Sequence, residues 1–202
     1  MPAGETEATF AQLVSLACHD LRTPLATLVG FTRTLPRLVD ADEKVARYLE
    51  LMDAAGTQLG ELLDDLSLAT RIEGGRFDPA PREADSLELA RAAAERVADG
   101  EVAVAGRGGA VSVERDVVVR ALAHLARCAL RHGGLDRVEL EADGPRISLA
   151  PVGPEVLPIA LGEDLRDLGA AVGVRAVTAL GGSVAGEDGR LVVRLPFEPL
   201  VS

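Results

Sequence analysis

His19 is one of three histidines in a chain of 202 residues. An imidazole ordinarily titrates near about 6.5, so at neutral pH a ring nitrogen lone pair is available as a nucleophile. On a helix stepping about 100° per residue, with Leu13 as origin, Phe10, Ala17, Leu21, Leu28 and Leu35 fall at about 40° to 80° and His19 at about 240°. The residues that share its side are Gln12, Ser15, Thr23, Ala26 and Gly30, and all but Gln12 are small. An imidazole aimed at solvent among small neighbours is open to another protein's active site. By position alone it is an ordinary surface histidine, and Pro24 weighs against that. A proline there removes the hydrogen bond to the carbonyl of Asp20 and crowds it, at a cost of about 3 kcal/mol. A local rule broken inside a well-patterned helix points either to a functional site or to a harmless kink. A second set of chemically able side chains is His124, Cys128 and His132, at i, i+4 and i+8. Two of them could bind Zn²⁺, but positions eight apart are separated by about 12 Å of helix rise, too far to share one ion. These three are expected to be buried or partly buried structural positions.

The elements that carry His19 are legible from apolar spacing. From about Ala8 to Val39, Val14, Leu21, Leu28 and Leu35 form one row at seven-residue intervals, and Phe10, Ala17, Pro24 and Phe31 another. From about Glu43 to Ile72 the rows are Val45, Met52, Leu59, Leu66 and Tyr48, Ala55, Leu62, Ala69. Two heptad seams joined across Pro36, Asp40, Ala41 and Asp42 predict an antiparallel helical hairpin. The far sides of these rows would face water, at a cost of about 25 cal/mol per Å². Either a second hairpin covers them, making a homodimer around a four-helix bundle, or the rest of the chain does so in cis. The dimer is the reading adopted.

Glu73 to Pro81 is rich in glycine and proline and reads as a linker, dividing the chain into residues 1–75 and 76–202. Beyond it, helices are expected over Ser86 to Ala98, Asp116 to His132 and Leu165 to Leu180. Strands are expected over Val102 to Ala105 and Val111 to Glu114, flanking Gly106 to Gly109, and over Arg137 to Ala142 and Arg146 to Ala150. A closing hairpin, Ser183 to Ala185 with Arg190 to Leu195, turns at Asp188 and Gly189. The fold class is α+β: a helical hairpin, then an α/β sandwich with helices on one face of its sheet.

Cys18-His19-Asp20-Leu21-Arg22-Thr23-Pro24-Leu25 resembles the H-box of bacterial sensor histidine kinases, the signature of their dimerisation and phosphoacceptor domain. The resemblance implies that His19 accepts a phosphoryl group on a ring nitrogen and passes it to an aspartate of a response-regulator receiver domain. It implies that Asp20 helps orient or deprotonate the histidine, and that Thr23 places a water for receiver dephosphorylation. Without the motif, Asp20 reads as a surface carboxylate and Thr23 as a hydroxyl bonded to its own helix.

The second half resembles the same family's ATP-binding domain more weakly. Ala121 to His132 has the shape of the N-box helix and ends similarly in Ala-Leu-Arg-His, but the family's magnesium-binding asparagine falls at Cys128 and another asparagine at His124. Neither is a hard oxygen ligand. Ile147 to Val156 aligns with the Asp-x-Gly-x-Gly box, with Pro151 at the adenine-reading aspartate and Glu155 at the second glycine. Asp167 to Val172 matches the later Gly-Leu-Gly-Leu box with Asp167 at its first glycine, where an anion would otherwise meet a helix start. Gly153 to Asp167 leaves little room for the lid that active kinases carry between these boxes. No cofactor and no metal ion are expected.

Composition narrows the rest. Apolar residues make up 48% of the chain, charged residues 26%, and the net charge is −11, which suits a folded soluble protein. There is no basic stripe, and four Phe, one Tyr and no Trp offer no stacking platform, so no nucleic-acid partner is expected. The N-terminus lacks the basic and apolar regions of a secretory signal, and no apolar run is long enough to span a membrane. Cys18 and Cys128 form no paired framework. A cytoplasmic protein with no membrane partner is the expectation. The reading is therefore a dimeric histidine phosphotransfer protein, with His19, Asp20 and Thr23 as its catalytic residues, a receiver domain as partner and no autokinase reaction. The alternatives are an active histidine autokinase, the output half of a split sensor, and a non-catalytic module that binds a regulator.

Overall fold

The structure is a computed structural model that describes residues 14, 18–19, 21–23, 25–35 and 43–197. The chain divides into two compact units, Met1–Arg76 and Phe77–Ser202. Among its described residues the first contains two helices. Helix α1 is helical at residues 14, 18–19, 21–23 and 25–35, and α2 spans Glu43–Glu73. Asp20, Pro24 and the connection around Pro36 to Asp42 lie outside the described residues, as do Phe10 and Ala17 of the apolar rows.

Ion pairs fix the direction of the helices. Arg22 bonds Asp64 at 2.5 Å and Arg33 bonds Asp53 at 2.6 Å, so the partner on α2 moves back as α1 moves forward. The hairpin is antiparallel. Its inner seam is made of small and medium side chains: Cys18 and Thr32 on α1 and Leu49, Gly56, Leu68 and Thr70 on α2 are buried, and Leu25 and Val29 are half-buried. A Cβ on Gly56 would collide with the Val29 side chain, which is how closely the helices approach there.

The large apolar residues of the seven-residue rows lie elsewhere. Leu21, Leu28, Phe31 and Leu35, with Val45, Tyr48, Met52, Leu59 and Leu62, are between 41% and 62% exposed. It is therefore the rows themselves, and not only their far sides, that face outward. Gly56 permits the close approach that seats the inner seam.

The second unit is a sheet covered by helices on one face. Its elements are β1 Arg82–Asp85, α3 Ser86–Ala94, β2 Glu101–Gly108, β3 Ala110–Val113, α4 Arg115–Gly133, β4 Arg137–Gly144, β5 Arg146–Ala150, α5 Leu157–Ala160, α6 Leu168–Ala179, β6 Ser183–Glu187 and β7 Arg190–Arg194. The main sheet runs β2-β4-β5-β7-β6, and β1 pairs with β3 in a two-stranded ribbon. β2 lies parallel to β4, Val102 opposite Val138, and the other neighbours are antiparallel. Along β4 the side chains alternate strictly: Val138, Leu140 and Ala142 are buried and Arg137, Glu139, Glu141 and Asp143 exposed. This is the period of a half-solvated sheet. On the exposed face, Arg190 bonds Glu141 at 2.8 Å and Arg194 and Arg146 bond Glu187 at 2.6 Å and 3.1 Å.

Three details lie beyond the sequence reading. The strands flanking Gly106 to Gly109 do not pair with each other, because β2 joins the main sheet and β3 the ribbon. β1 falls in Arg-Glu-Ala-Asp, whose composition gives no strand signal. α5 is a single turn, too short for periodicity to show. Helix α4 is the central element, with Val118, Leu122, Leu125 and Ala129 buried, and it ends at Gly134 in the left-handed region, φ 58°, where glycine carries no Cβ penalty. α3 starts on Asp85, whose carboxylate accepts from the N–H groups of Leu87 and Glu88.

Candidate functional site

On the hairpin, His19 is exposed, one residue after the buried Cys18. Arg22, Thr23, Ala26 and Thr27 line a shallow open recess with it. Among the described residues lining the recess, Thr23, Ala26 and Thr27 are small and Arg22 is the long one, drawn toward α2 by Asp64 at 2.5 Å. Thr23, one turn after His19, is exposed, and its carbonyl accepts from the Thr27 hydroxyl at 3.1 Å. Of the three sequence-expected site residues the structure thus sets His19 and Thr23 around one recess, while Asp20 lies outside the described residues. The burial of Cys18 raises its thiol pKa. A neutral, covered thiol beside the imidazole does not compete with it as a nucleophile.

A second cluster lies in the other unit, where α4 meets the start of α6. Asp167 is the N-cap of α6: one carboxylate oxygen accepts from the Ala170 N–H at 3.0 Å, and the other lies 3.2 Å from His132 Nε2 and 3.8 Å from Arg131 Nη1. Cys128 sits one turn before His132 on α4 and is wholly buried. Burial, reinforced by the Asp167 carboxylate and opposed by Arg131, pushes its thiol pKa up to about 12. The Cys128 sulfur, a His132 ring nitrogen and an Asp167 oxygen all lie within 4.8 Å of one another. His124 is buried a turn earlier, with its ring against Gly169, where a Cβ would fall 2.5 Å from Nδ1.

The sequence pattern considered His124, Cys128 and His132 along one helix, where the end positions cannot meet. It missed Asp167 as their partner. Asp167 arrives from 35 residues further on because α6 docks its first turn on α4. The only signal for it was an acid at a helix start, which reads as a cap.

Four positions that the kinase resemblance assigns to nucleotide carry groups that do not suit it. Cys128 offers a protonated sulfur where Mg²⁺ needs oxygen. Asp167 fills the N-terminus of α6 with its own negative charge, at the place where a phosphate would bind. Glu155 folds its carboxylate back over Gly153, so that a Cβ there would meet its Cδ at 2.9 Å. Pro151, exposed and preceded by a cis peptide bond, has no acceptor to read an adenine.

Comparison with known proteins finds a family match over the hairpin. Residues 11–75 match the His Kinase A (phospho-acceptor) domain. The probable sensor histidine kinase TcrY of Mycobacterium tuberculosis is 34% identical over 98 residues, 48% of this chain and 20% of the relative. The sensor protein DivL of Caulobacter vibrioides is 29% identical over 150 residues, 68% of this chain and 19% of the relative. The chain spans about a fifth of the length of these two relatives. The crystal structure of full-length ShkA in complex with AMPPNP shares the fold over 95% of this chain and 47% of that one, at a TM-score of 0.69 and 21% identity. Among the described residues no helix is long and apolar enough to cross a membrane. The matches support a histidine-kinase-type two-component signalling protein, with a phosphoacceptor hairpin followed by a sheet domain of the ATP-binding-domain fold.

Proposed function

We propose that this chain is a histidine phosphotransfer protein. His19 takes a phosphoryl group from the aspartyl phosphate of one response-regulator receiver domain and gives it to the aspartate of another. In the forward step a ring nitrogen of His19 attacks phosphorus, the N–P bond forms, and the receiver's carboxylate leaves with the electrons of the broken P–O bond. The reverse step restores both side chains. Asp20 orients the imidazole and holds its second ring proton, and Thr23 sets a water for receiver dephosphorylation. The protein works as a cytoplasmic homodimer whose hairpins form a four-helix bundle, with residues 1–75 as the phosphoacceptor unit and 76–202 as a wall against which the receiver docks.

The observation that carries this reading is the exposed imidazole of His19 above a recess bounded by small side chains, within a matched phosphoacceptor domain. The ill-suited groups at Cys128, Glu155 and Asp167 support transfer without autokinase. The test is transfer of ³²P from a phosphorylated receiver. Label is expected on the wild-type chain and absent from His19→Ala; no label on the wild type, or label that persists in the variant, overturns the reading. Complex formation without any transfer would favour a regulator-binding module.

An autokinase is the second reading, favoured by the fact that TcrY is described as a probable sensor histidine kinase. Incubation with γ-³²P-ATP and magnesium separates the two: His19-dependent self-labelling selects the autokinase.

A further inference from the structure

We propose that Cys128, His132 and Asp167 form a binding site for one divalent cation of the zinc class. This goes beyond the phosphotransfer reading and does not rest on it, because the cluster and His19 belong to different units. Cys128 and His132 are i and i+4 on α4, the spacing that stacks two side chains on one helix face. Asp167 closes the set from α6, and the three donor atoms lie within 4.8 Å of each other.

The distances suit a small tetrahedral ion. Ligand bonds of about 2.0 Å to nitrogen and oxygen put those two atoms about 3.3 Å apart on a tetrahedral edge, and His132 Nε2 and Asp167 Oδ2 are 3.2 Å apart. The sulfur edge of such a site is about 3.5 Å, reached by a side-chain movement of the order of 1 Å. The donor set is also selective. Sulfur, imidazole and carboxylate together match Zn²⁺ or Co²⁺, whereas Mg²⁺ demands oxygen ligands in an octahedron. Three protein ligands leave one position for water, on the side where His132 keeps 21% of its side-chain surface exposed.

The surroundings hold the ligands in place. The second oxygen of Asp167 is tied to the Ala170 N–H at 3.0 Å, the kind of outer bond that orients a ligating carboxylate. Cys128 is enclosed by the helix packing. When the ion binds, the Cys128 S–H bond breaks, its proton leaves to solvent and a sulfur–metal bond forms, with no change of oxidation state. His132 offers the Nε2 lone pair with its proton on Nδ1. Arg131, whose side chain is 61% exposed and 3.8 Å from Asp167, swings outward. Thiolate and carboxylate then neutralise the ion's charge.

A helix-bridging contact between His132 and Asp167 with no metal function is the competing explanation. It requires no thiol at the third corner, and the experiment separates the two. The full-length chain is stripped with a chelator and titrated with Zn²⁺ against a chromophoric competitor, and in parallel with Co²⁺. The expected result is one ion per chain and a thiolate-to-cobalt charge-transfer band. Cys128→Ser and His132→Gln should each weaken binding at least about tenfold, and Asp167→Asn, which preserves the helix cap, should do the same. Cys18→Ser should leave the band and the stoichiometry unchanged. If Cys128→Ser does not fold, the wild-type cobalt spectrum and His132→Gln decide alone. No bound ion, no charge-transfer band, or binding that survives His132→Gln at full strength overturns the proposal.

Discussion

A phosphoryl group can pass between proteins only through a side chain that both can reach, and His19 meets that condition through its phase on α1. The sequence places it opposite the apolar rows, and it is exposed, but so are those rows, because the buried side of the helix runs through Cys18, Leu25, Val29 and Thr32. Thr23 tests how work divides within the recess. Thr23→Ala removes an exposed hydroxyl whose helix bonds are made by its backbone, so stability should move by less than about 0.5 kcal/mol. Transfer of ³²P to His19 is expected to persist while decay of the receiver's aspartyl phosphate slows; an equal loss of both would deny Thr23 a separate role. In the sheet, Glu187 offers a pH test. The hydrogen bond from Arg194, helped by the charges of Arg194 and Arg146, holds its carboxyl below the ordinary value near 4.5. Its contribution to stability is therefore complete above that pH and is lost as pH falls through the folded value. Urea unfolding should find the wild type more stable than Glu187→Gln near neutrality, with the gap closing on acidification. The Cys128, His132, Asp167 cluster was not legible, because nothing local brings Asp167 to α4. The docking of two helices does.

For the elements, the sequence shows which residues avoid water but not against which neighbour. The seven-residue rows correctly mark two helices, yet their broad side chains line the outside of the hairpin and Gly56 sits at the closest helix contact. Gly56 and Gly60 separate these roles. A Cβ at Gly56 would strike Val29, whose β-branched side chain has one favoured rotamer in a helix. At Gly60 the nearest atom, Leu25 Cδ2, is 4.0 Å away, which is ordinary contact. Gly56→Ala should cost about 1 to 3 kcal/mol, and Gly60→Ala should gain up to about 1 kcal/mol from helix propensity, both read by the helical signal in thermal unfolding. In the second unit, β4, β5 and the β6–β7 hairpin were legible because they alternate or turn on Asp188-Gly189. The parallel pairing of β2 was not, since partner choice across the α4 crossover depends on tertiary packing.

For the whole molecule, the phosphotransfer reading makes two demands. Calorimetry with magnesium and ATP should show no binding heat, because Asp167 already supplies the negative charge at the start of α6; micromolar binding would favour the autokinase. Light scattering should give twice the chain mass, and the pair Leu28→Glu with Leu59→Glu should halve it without altering the sheet domain's spectrum. The outward apolar face of the hairpin has a further thermodynamic consequence. In the proposed homodimer a helix pair whose inner seam is this narrow would gain most of its burial from a second copy, so its unfolding would be bimolecular and its midpoint should drop on dilution. The sheet domain encloses its own core and should melt at one temperature whatever the concentration. A single scan would then show two steps, and only one of them would slide as the protein is thinned out.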